Sequence, residues 1–517
     1  MRWATLACIL ATAPAAADDI AASPPAELSV TVYRAPFRAA GSIDLDELAG
    51  FALVSEVRTV HLPAGLSRLR FEGVADGIEP ASAIVTGLPA GVIEKNREGK
   101  LLSPSALIAA ALGTPVTLLR TDKKTGRQQR LDGTLLSDAE GGVVFQTSEG
   151  IEALHCSGLP ETFSFEGVGG LAAKPTLSVL VRSAQASTRT VTLSYLARDF
   201  DWAADYIATL SSDGKTMDLG AWVTLANGNG VGFPSARTQV VAGRVNRENG
   251  EVEPLDAGGP ILAACWPRGS TSDASAPAYL QFADQARLER MDRMFKKSVA
   301  GVPSDLQEVI VTAAQNVQQE QLGDLKLYRI PTRTTVASRQ SKQVRLMDRG
   351  HIPIARVYGA DLAAGETAQS APAHLLLRTV NSAANHLGLP LPSGHIAVFA
   401  TSSGERLLLH ESDIKDRAVD EEVEIDLGNS PDVQVTVAKE TASVGPARTQ
   451  AHAVRVDIAN ARPADINFEL RLQIRAGGRV VHADHPMETK NGRPLFRLTI
   501  PANRSVTVRY QTEYSRG

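Results

Sequence analysis

Apolar and polar residues alternate with period two along most of this 517-residue chain. Leu28, Val30 and Val32 alternate with Ser29, Thr31 and Tyr33, which gives one apolar and one polar face, the pattern of a half-buried strand. After the turn signal Pro63-Ala64-Gly65, Leu69 and Phe71 alternate with Arg68 and Arg70. Leu177, Val179 and Val181 resume the pattern behind Lys174-Pro175. From Leu193 to Gly243, two strand-like runs (Leu193–Leu196 and Gly220–Leu225) lie around an aromatic pair, Trp202 and Tyr206. Nearer the C-terminus the alternation returns three times, at Val423, Ile425 and Leu427, at Val433, Val435 and Val437, and at Val454, Val456 and Ile458. Strand after strand of this kind predicts a C-terminal β-sandwich.

Two blocks interrupt the pattern. Pro115 to Cys156 holds four or five short strands around a charged turn, Asp122 to Arg127, and this spacing predicts a small closed or half-closed barrel inserted into the N-terminal domain. Ala283 to Ser298 interleaves charges with Leu288, Met291, Met294 and Phe295. Ser304-Asp305-Leu306-Gln307 has capping-box form ahead of an apolar stripe, so helix is expected over about 283–322. Cys265 to Ser275 and Gly359 to Pro372 have the composition of linkers. The expected fold is therefore mainly β and multidomain: antiparallel β-sandwich domains with a small inserted β-barrel and a short helical segment. The expected domains are 18–175 with the barrel at about 115–156, a core at 176–370, and a sandwich at 371–517.

Met1-Arg2, the apolar run from Trp3 to Thr12 and the small residues Ala15-Ala16-Ala17 before Asp18 have the form of a secretory signal peptide over 1–17. Export to the periplasm or beyond follows as an expectation. The apolar run is too short to span a bilayer, and no later segment is long and apolar enough, so no integral membrane segment is expected after cleavage. A net charge of −4 lacks the basic footprint of a nucleic-acid binder. Beyond the leader, Cys156 and Cys265 are a candidate disulfide in an oxidising compartment, with two free thiols as the alternative.

Candidate chemistry is sparse, and no cofactor is expected. Gly228-Asn229-Gly230-Val231-Gly232 is followed by strand-like residues where a phosphate loop needs a helix, so a hairpin turn is expected. His482-Ala483-Asp484-His485 offers too few ligands for zinc and reads as a solvated loop. Asp199, Asp201 and Asp205 around Trp202 and Tyr206 are the weak catalytic candidates, since carboxylates beside an aromatic suit a glycosidase. The competing reading makes the aromatics core anchors and sets both carboxylates of Asp199-x-Asp201 on the polar face. The acidic stretch Glu411 to Asp426 lacks EF-hand spacing and reads as a solvated loop and strand face. Neither Gly-x-Ser-x-Gly nor His-Glu-x-x-His occurs.

Three stretches together resemble the secreted bacterial domain-of-unknown-function 4139 family, whose relatives are called mucoidy inhibitor A-like. They are Lys174–Leu177 with Leu193–Leu196 and Phe200–Tyr206, then Leu327–Pro331 with Lys342–Leu346, then Leu391–Phe399 with Leu427-Gly428. The resemblance covers about residues 170 to 517. Better-known members carry a long N-terminal coiled coil, and no sustained heptad occurs here. The family has no assigned catalytic residues to carry over. The resemblance implies an exported, β-rich protein with a role in cell-envelope or exopolysaccharide control. Extended sheets in several small domains are the usual format of envelope scaffolds, so a non-catalytic protein that binds or scaffolds an envelope protein or polysaccharide is expected. The alternative is an envelope glycan hydrolase that uses the aspartate cluster.

Overall fold

The computed structural model describes residues 17–35, 43–98, 101–122, 124–137, 143–153, 161–167, 171–243, 245, 247, 318–322, 325–363, 369–402, 404–444 and 449–515. These residues form a mainly β, multidomain structure with one α-helix, Pro104–Ala110, among them. The helix starts where its sequence dictates: Ser103 Oγ accepts the Ala106 amide at 3.1 Å, and Pro104 occupies the first turn, where no amide donor is needed. Cys156, Cys265 and most of the expected helical segment at 283–322 lie outside the described residues. Its last residues differ from expectation, since Gln318–Leu322 is a strand paired antiparallel with Leu325–Arg329.

The chain divides into two compact units that interleave in sequence. The first unit takes residues 1–28, 54–197 and 249–315, and the second takes 29–53, 198–248 and 316–517. Within the first unit, a four-stranded sheet has the order Asp18–Ala21, Gly65–Glu72, Thr176–Ser183, Val92–Glu98. Asp18, the first residue after the expected cleavage site, is already paired, with Ser67. A five-stranded sheet runs Gly150–Ala153, Val144–Thr147, Gln128–Leu135, Pro115–Thr121, Glu161–Ser164. Its two outer strands do not pair with each other among the described residues, so it is a half-barrel, and it reaches Ser164 rather than ending at 156. Val116, Leu118, Leu135, Val143 and Phe145 fill it, with Ile108 of the helix.

The second unit contains most of the largest sheet. Its main path is Gln318–Leu322, Leu325–Arg329, Phe233–Ala242, Glu27–Tyr33, Gly50–Leu62, Ser187–Leu210, Thr216–Asn227, Gln340–Pro353. Gly394–Ser402 pairs in parallel with Ser187–Leu210, and Glu405–Ile414 pairs with Gly394–Ser402. Thr216–Asn227 and Phe233–Ala242 are not neighbours in this order. The Gly228–Gly232 segment is thus a crossover, not the expected hairpin turn. Two asparagines explain why. Asn227 Nδ2 donates to the carbonyl of Val231, which braces the loop internally, and to that of Ala337, and Asn229 Nδ2 donates to that of Arg198, so the loop is also tied to neighbouring segments.

A nine-stranded sheet forms the C-terminal part of this unit, in the order Gly478–Ala483, Arg504–Ser515, Thr449–Asn460, Glu422–Val444, Gln369–Val380, Ala355–Ala363, Ile466–Gln473, Arg493–Ile500, Glu488–Lys490. The expected linker at Gly359–Pro372 is strand where it is described: Gly359–Ala363 pairs in parallel with Glu469–Gln473, and Gln369–Pro372 pairs antiparallel with Gln434–Val437. Phe496 on the eighth strand lies 6.0 Å from Tyr510 on the second, ring centroid to centroid. The sheet therefore rolls over onto itself as a sandwich. Val433, Val435, Val437, Val454, Val456 and Ile458, the alternating residues of the sequence, are its buried core.

Candidate functional site

Ser187–Leu210 changes phase partway along. Val191, Leu193, Tyr195 and Ala197 are buried, and then Phe200, Trp202, Ala204, Tyr206 and Ala208 are buried. The step falls at Asp199, whose φ of 63° is left-handed. Such a residue inserts one position into the strand, so odd-numbered side chains face inward before it and even-numbered ones after it. Gly228 N donates to the Asp199 carbonyl at 2.8 Å, which holds the step in place.

Beyond the step, the three stretches that carry the family resemblance meet. Trp202 Nε1 donates to the Val241 carbonyl at 3.0 Å. Tyr206 Oη donates to the Pro392 carbonyl at 2.6 Å, and Tyr328 Oη donates to the Pro390 carbonyl at 3.0 Å. The Trp202 and Tyr328 rings are 6.4 Å apart. Arg34 covers this group: its guanidinium carbon is 5.1 Å from the Trp202 ring centroid, Nη1 donates to the Ser393 carbonyl at 2.7 Å, and Nη2 donates to Asp416 Oδ1 at 3.1 Å. The same Asp416 oxygen accepts the Ser393 amide at 2.7 Å. Burial, reinforced by the charge of Asp416, raises the pKa of both the Tyr206 and Tyr328 hydroxyls, so each stays protonated and serves as a donor. Gly394 closes the arrangement. It pairs with Ala204, and a Cβ at this position would lie 1.9 Å from the Ala204 carbonyl oxygen. The Leu391–Gly394 turn is thereby fixed from three sides.

The aspartate candidates are not brought together as a carboxylate pair. Asp199 is exposed at the phase step. Asp201 is buried, against the expectation that it faces water, and its Oδ1 accepts the amides of Ala35 at 3.1 Å and Trp202 at 2.8 Å. The Ala35 segment covers the face of the strand that the sequence pattern marks as polar, and Asp201 supplies the acceptor its amide needs there. Asp205 is half-buried and accepts a hydrogen bond from Thr224 Oγ1.

Other carboxylates serve the framework. Glu56 is buried in the first unit, where Tyr195 Oη donates to Oε1 at 2.8 Å and Arg58 Nε to Oε2 at 2.8 Å. Burial pushes the pKa of Glu56 up, opposed by the charge and hydrogen bonds of Arg58 and by Tyr195. The acidic stretch is less solvated than expected: besides Asp416, it supplies Glu422 and Glu424 to a network on the nine-stranded sheet. Arg378 Nη2 donates to Glu424 and to Glu469 Oε2 at 2.7 Å, and Arg471 Nη2 donates to Glu424 at 2.7 Å and to Glu469 at 2.9 Å. Burial raises the pKa of Glu469, but the hydrogen bonds from Arg378 and Arg471 outweigh it and bring it down to about 2. Glu424 is likewise raised by burial and brought down to about 2 by the Arg471 charge and by hydrogen bonds from Arg378 and Arg471. A glycosidase acid needs the opposite, a carboxyl that is accessible and still protonated near neutral pH.

His485 Nδ1 contacts Asp484 Oδ1 at 2.8 Å, and that oxygen also accepts the Arg509 amide. Among the described residues no group of three or more His, Cys, Asp or Glu side chains is placed to hold a metal ion. No helix among them is long and apolar enough to cross a membrane. Sequence reasoning missed Arg34 altogether, because one arginine after a strand carries no pattern. Asp416 lay in the acidic stretch, but nothing local distinguished it from its neighbours.

The chain matches no protein-family model, and no curated protein matches it in sequence.

Proposed function

We propose that this chain is an exported, β-rich cell-envelope protein that acts by binding or scaffolding, and that it is a divergent relative of the domain-of-unknown-function 4139 family. One observation carries the reading. The three stretches that suggested the family converge on a cluster in which Trp202, Tyr206, Tyr328 and Arg34 all donate to main-chain carbonyls. Such a cluster holds chain segments in place and presents no nucleophile, and the candidate aspartates are committed separately. The leader-like start supports export, and the partner classes are an envelope protein or a polysaccharide.

Two measurements test this. Residues 1–30 fused to alkaline phosphatase, a reporter active only outside the cytoplasm, should give activity and a product cut near Ala17. The purified chain should co-sediment with cell-wall sacculi or retain an acidic exopolysaccharide on a gel without releasing reducing ends. Reporter silence removes the export reading, and reducing-end release that is lost in Asp201→Asn turns the protein into a hydrolase.

A further inference from the structure

Glu405–Ile414 (ERLLLHESDI) pairs on one side only, with Gly394–Ser402, and so forms an edge of the largest sheet among the described residues. Leu407, Leu408 and Leu409 on this edge are each about half exposed. The ladder shifts between Val398 and Phe399, whose partners are His410 and Leu408, so Leu409 is an extra residue and none of the three leucines is drawn inward. Soluble proteins protect such edges with charge or proline, whereas this one places an apolar triplet there. The charges that flank it are mainly acidic: Glu405, Glu411 and Asp413 against Arg406. Glu411 and Asp413 approach His395 at 3.8 and 3.6 Å and remain about half exposed.

We infer that the Glu405–Ile414 edge is a strand-addition site for an extended protein segment that alternates apolar residues and carries basic residues at its ends. The inference rests on the binding reading above and specifies one partner. Main-chain groups of the edge would pair with the segment, the leucines would cover its apolar side chains, and Glu405 and Glu411 would meet its cations. Charge decides between occupants. Two copies of this strand paired antiparallel about Leu408 would set Glu405 opposite Glu411 twice, and an anionic lipid surface would face the same carboxylates.

The test uses the full chain and a fluorescent peptide that alternates leucine and valine with threonine and carries a lysine at each end. Anisotropy should show saturable binding. Methylation of alternate peptide amides, or Leu408→Lys in the protein, should weaken it about tenfold or more. Glu411→Gln with Asp413→Asn should weaken it about threefold and flatten its salt dependence. Equal binding of the methylated peptide, or no binding at all, overturns the inference. So does a dimer in sedimentation that Leu408→Lys dissociates, or capture by anionic vesicles that Leu408→Lys abolishes. Retention on sacculi or polysaccharide that survives these failures leaves the broader binding reading standing.

Discussion

Arg34 and Asp416 are separated by 382 residues in sequence, yet Arg34 Nη2 donates to Asp416 Oδ1 at 3.1 Å. The same guanidinium lies within cation–π distance of the Trp202 ring, so one side chain ties the end of a strand near the N-terminus to a segment in the last quarter of the chain. Lysine cannot reproduce both the fork and the stacking. Arg34→Lys should cost about 1–2 kcal/mol, and Trp202→Ala, which empties a fully buried site, about 3–5 kcal/mol. Urea unfolding followed by circular dichroism measures both. Equal midpoints for Arg34→Lys and wild type would show that the stacking contributes nothing.

Removing one hydroxyl at a time separates the two tyrosines. Tyr206→Phe and Tyr328→Phe keep the rings and leave the carbonyls of Pro392 and Pro390 without these donors. Each should lose about 1–2 kcal/mol, with Tyr206→Phe the more costly because its bond is shorter and its ring more deeply buried. The order of the two midpoints in one denaturant series checks this, and a reversed order refutes it.

The Arg378–Glu424–Glu469–Arg471 network makes the second unit sensitive to acid. Glu424 and Glu469 are held at about 2, below their unfolded value, so their contribution is fully present above about pH 5 and is lost as the pH falls towards 2. The two carboxyls share arginines and titrate together, so the combined effect is on the order of 2–4 kcal/mol rather than a sum of independent shifts. Melting temperature recorded from pH 6 to about pH 2.5 should fall steeply in wild type and less in Glu424→Gln/Glu469→Gln. Parallel curves for the two proteins would assign the acid sensitivity elsewhere.

Glu56 and Arg58 form a buried pair whose members are not equivalent. Arg58 also donates to the carbonyls of Ser23 and Glu72, at 3.2 and 2.9 Å. Arg58→Met should therefore cost about 3–5 kcal/mol, because it strands a buried carboxylate together with two carbonyls. Glu56→Gln keeps one acceptor for Tyr195 but turns an amide donor towards Arg58 Nε and removes its counter-charge; the guanidinium retains its two carbonyl acceptors, so this change should cost less than Arg58→Met, about 1–3 kcal/mol. Thermal scans of the two single variants, read side by side, decide it.

Most strands were legible in the sequence, and the limits of that reading are physical. Val433, Val435 and Val437 declared their face because nothing interrupts the alternation, and Trp202 and Tyr206 stood out as large aromatics inside a strand pattern. The burial of Asp201 is not legible, because the cover over its polar face comes from Ala35, a residue 166 positions away whose amide it accepts; the phase step at Asp199 is equally hidden, because it depends on a backbone angle that no composition encodes. Arg34, Ser393 and Asp416 were invisible as a group because their contacts are set by strand order. The step itself can be tested. Asp199→Gly fits a left-handed backbone and should change stability by less than about 1 kcal/mol, whereas β-branched Asp199→Val should cost about 1–3 kcal/mol. Equal midpoints for the two variants would mean that Asp199 does not hold a left-handed conformation.

The parallel pairing of Ser187–Leu210 with Gly394–Ser402 has a kinetic consequence. Ala204 meets Gly394 and Leu210 meets Ala400, so the strand that carries Trp202 cannot complete its ladder until almost four-fifths of the chain has been made. Glu27–Tyr33 waits similarly for Phe233–Ala242, its parallel neighbour. Non-local parallel pairings are slow to form, because loop entropy is lost before contacts compensate for it. An emerging chain of this design stays unfinished at its centre during synthesis, with apolar strand faces open to holdase chaperones and proteases until the last third arrives.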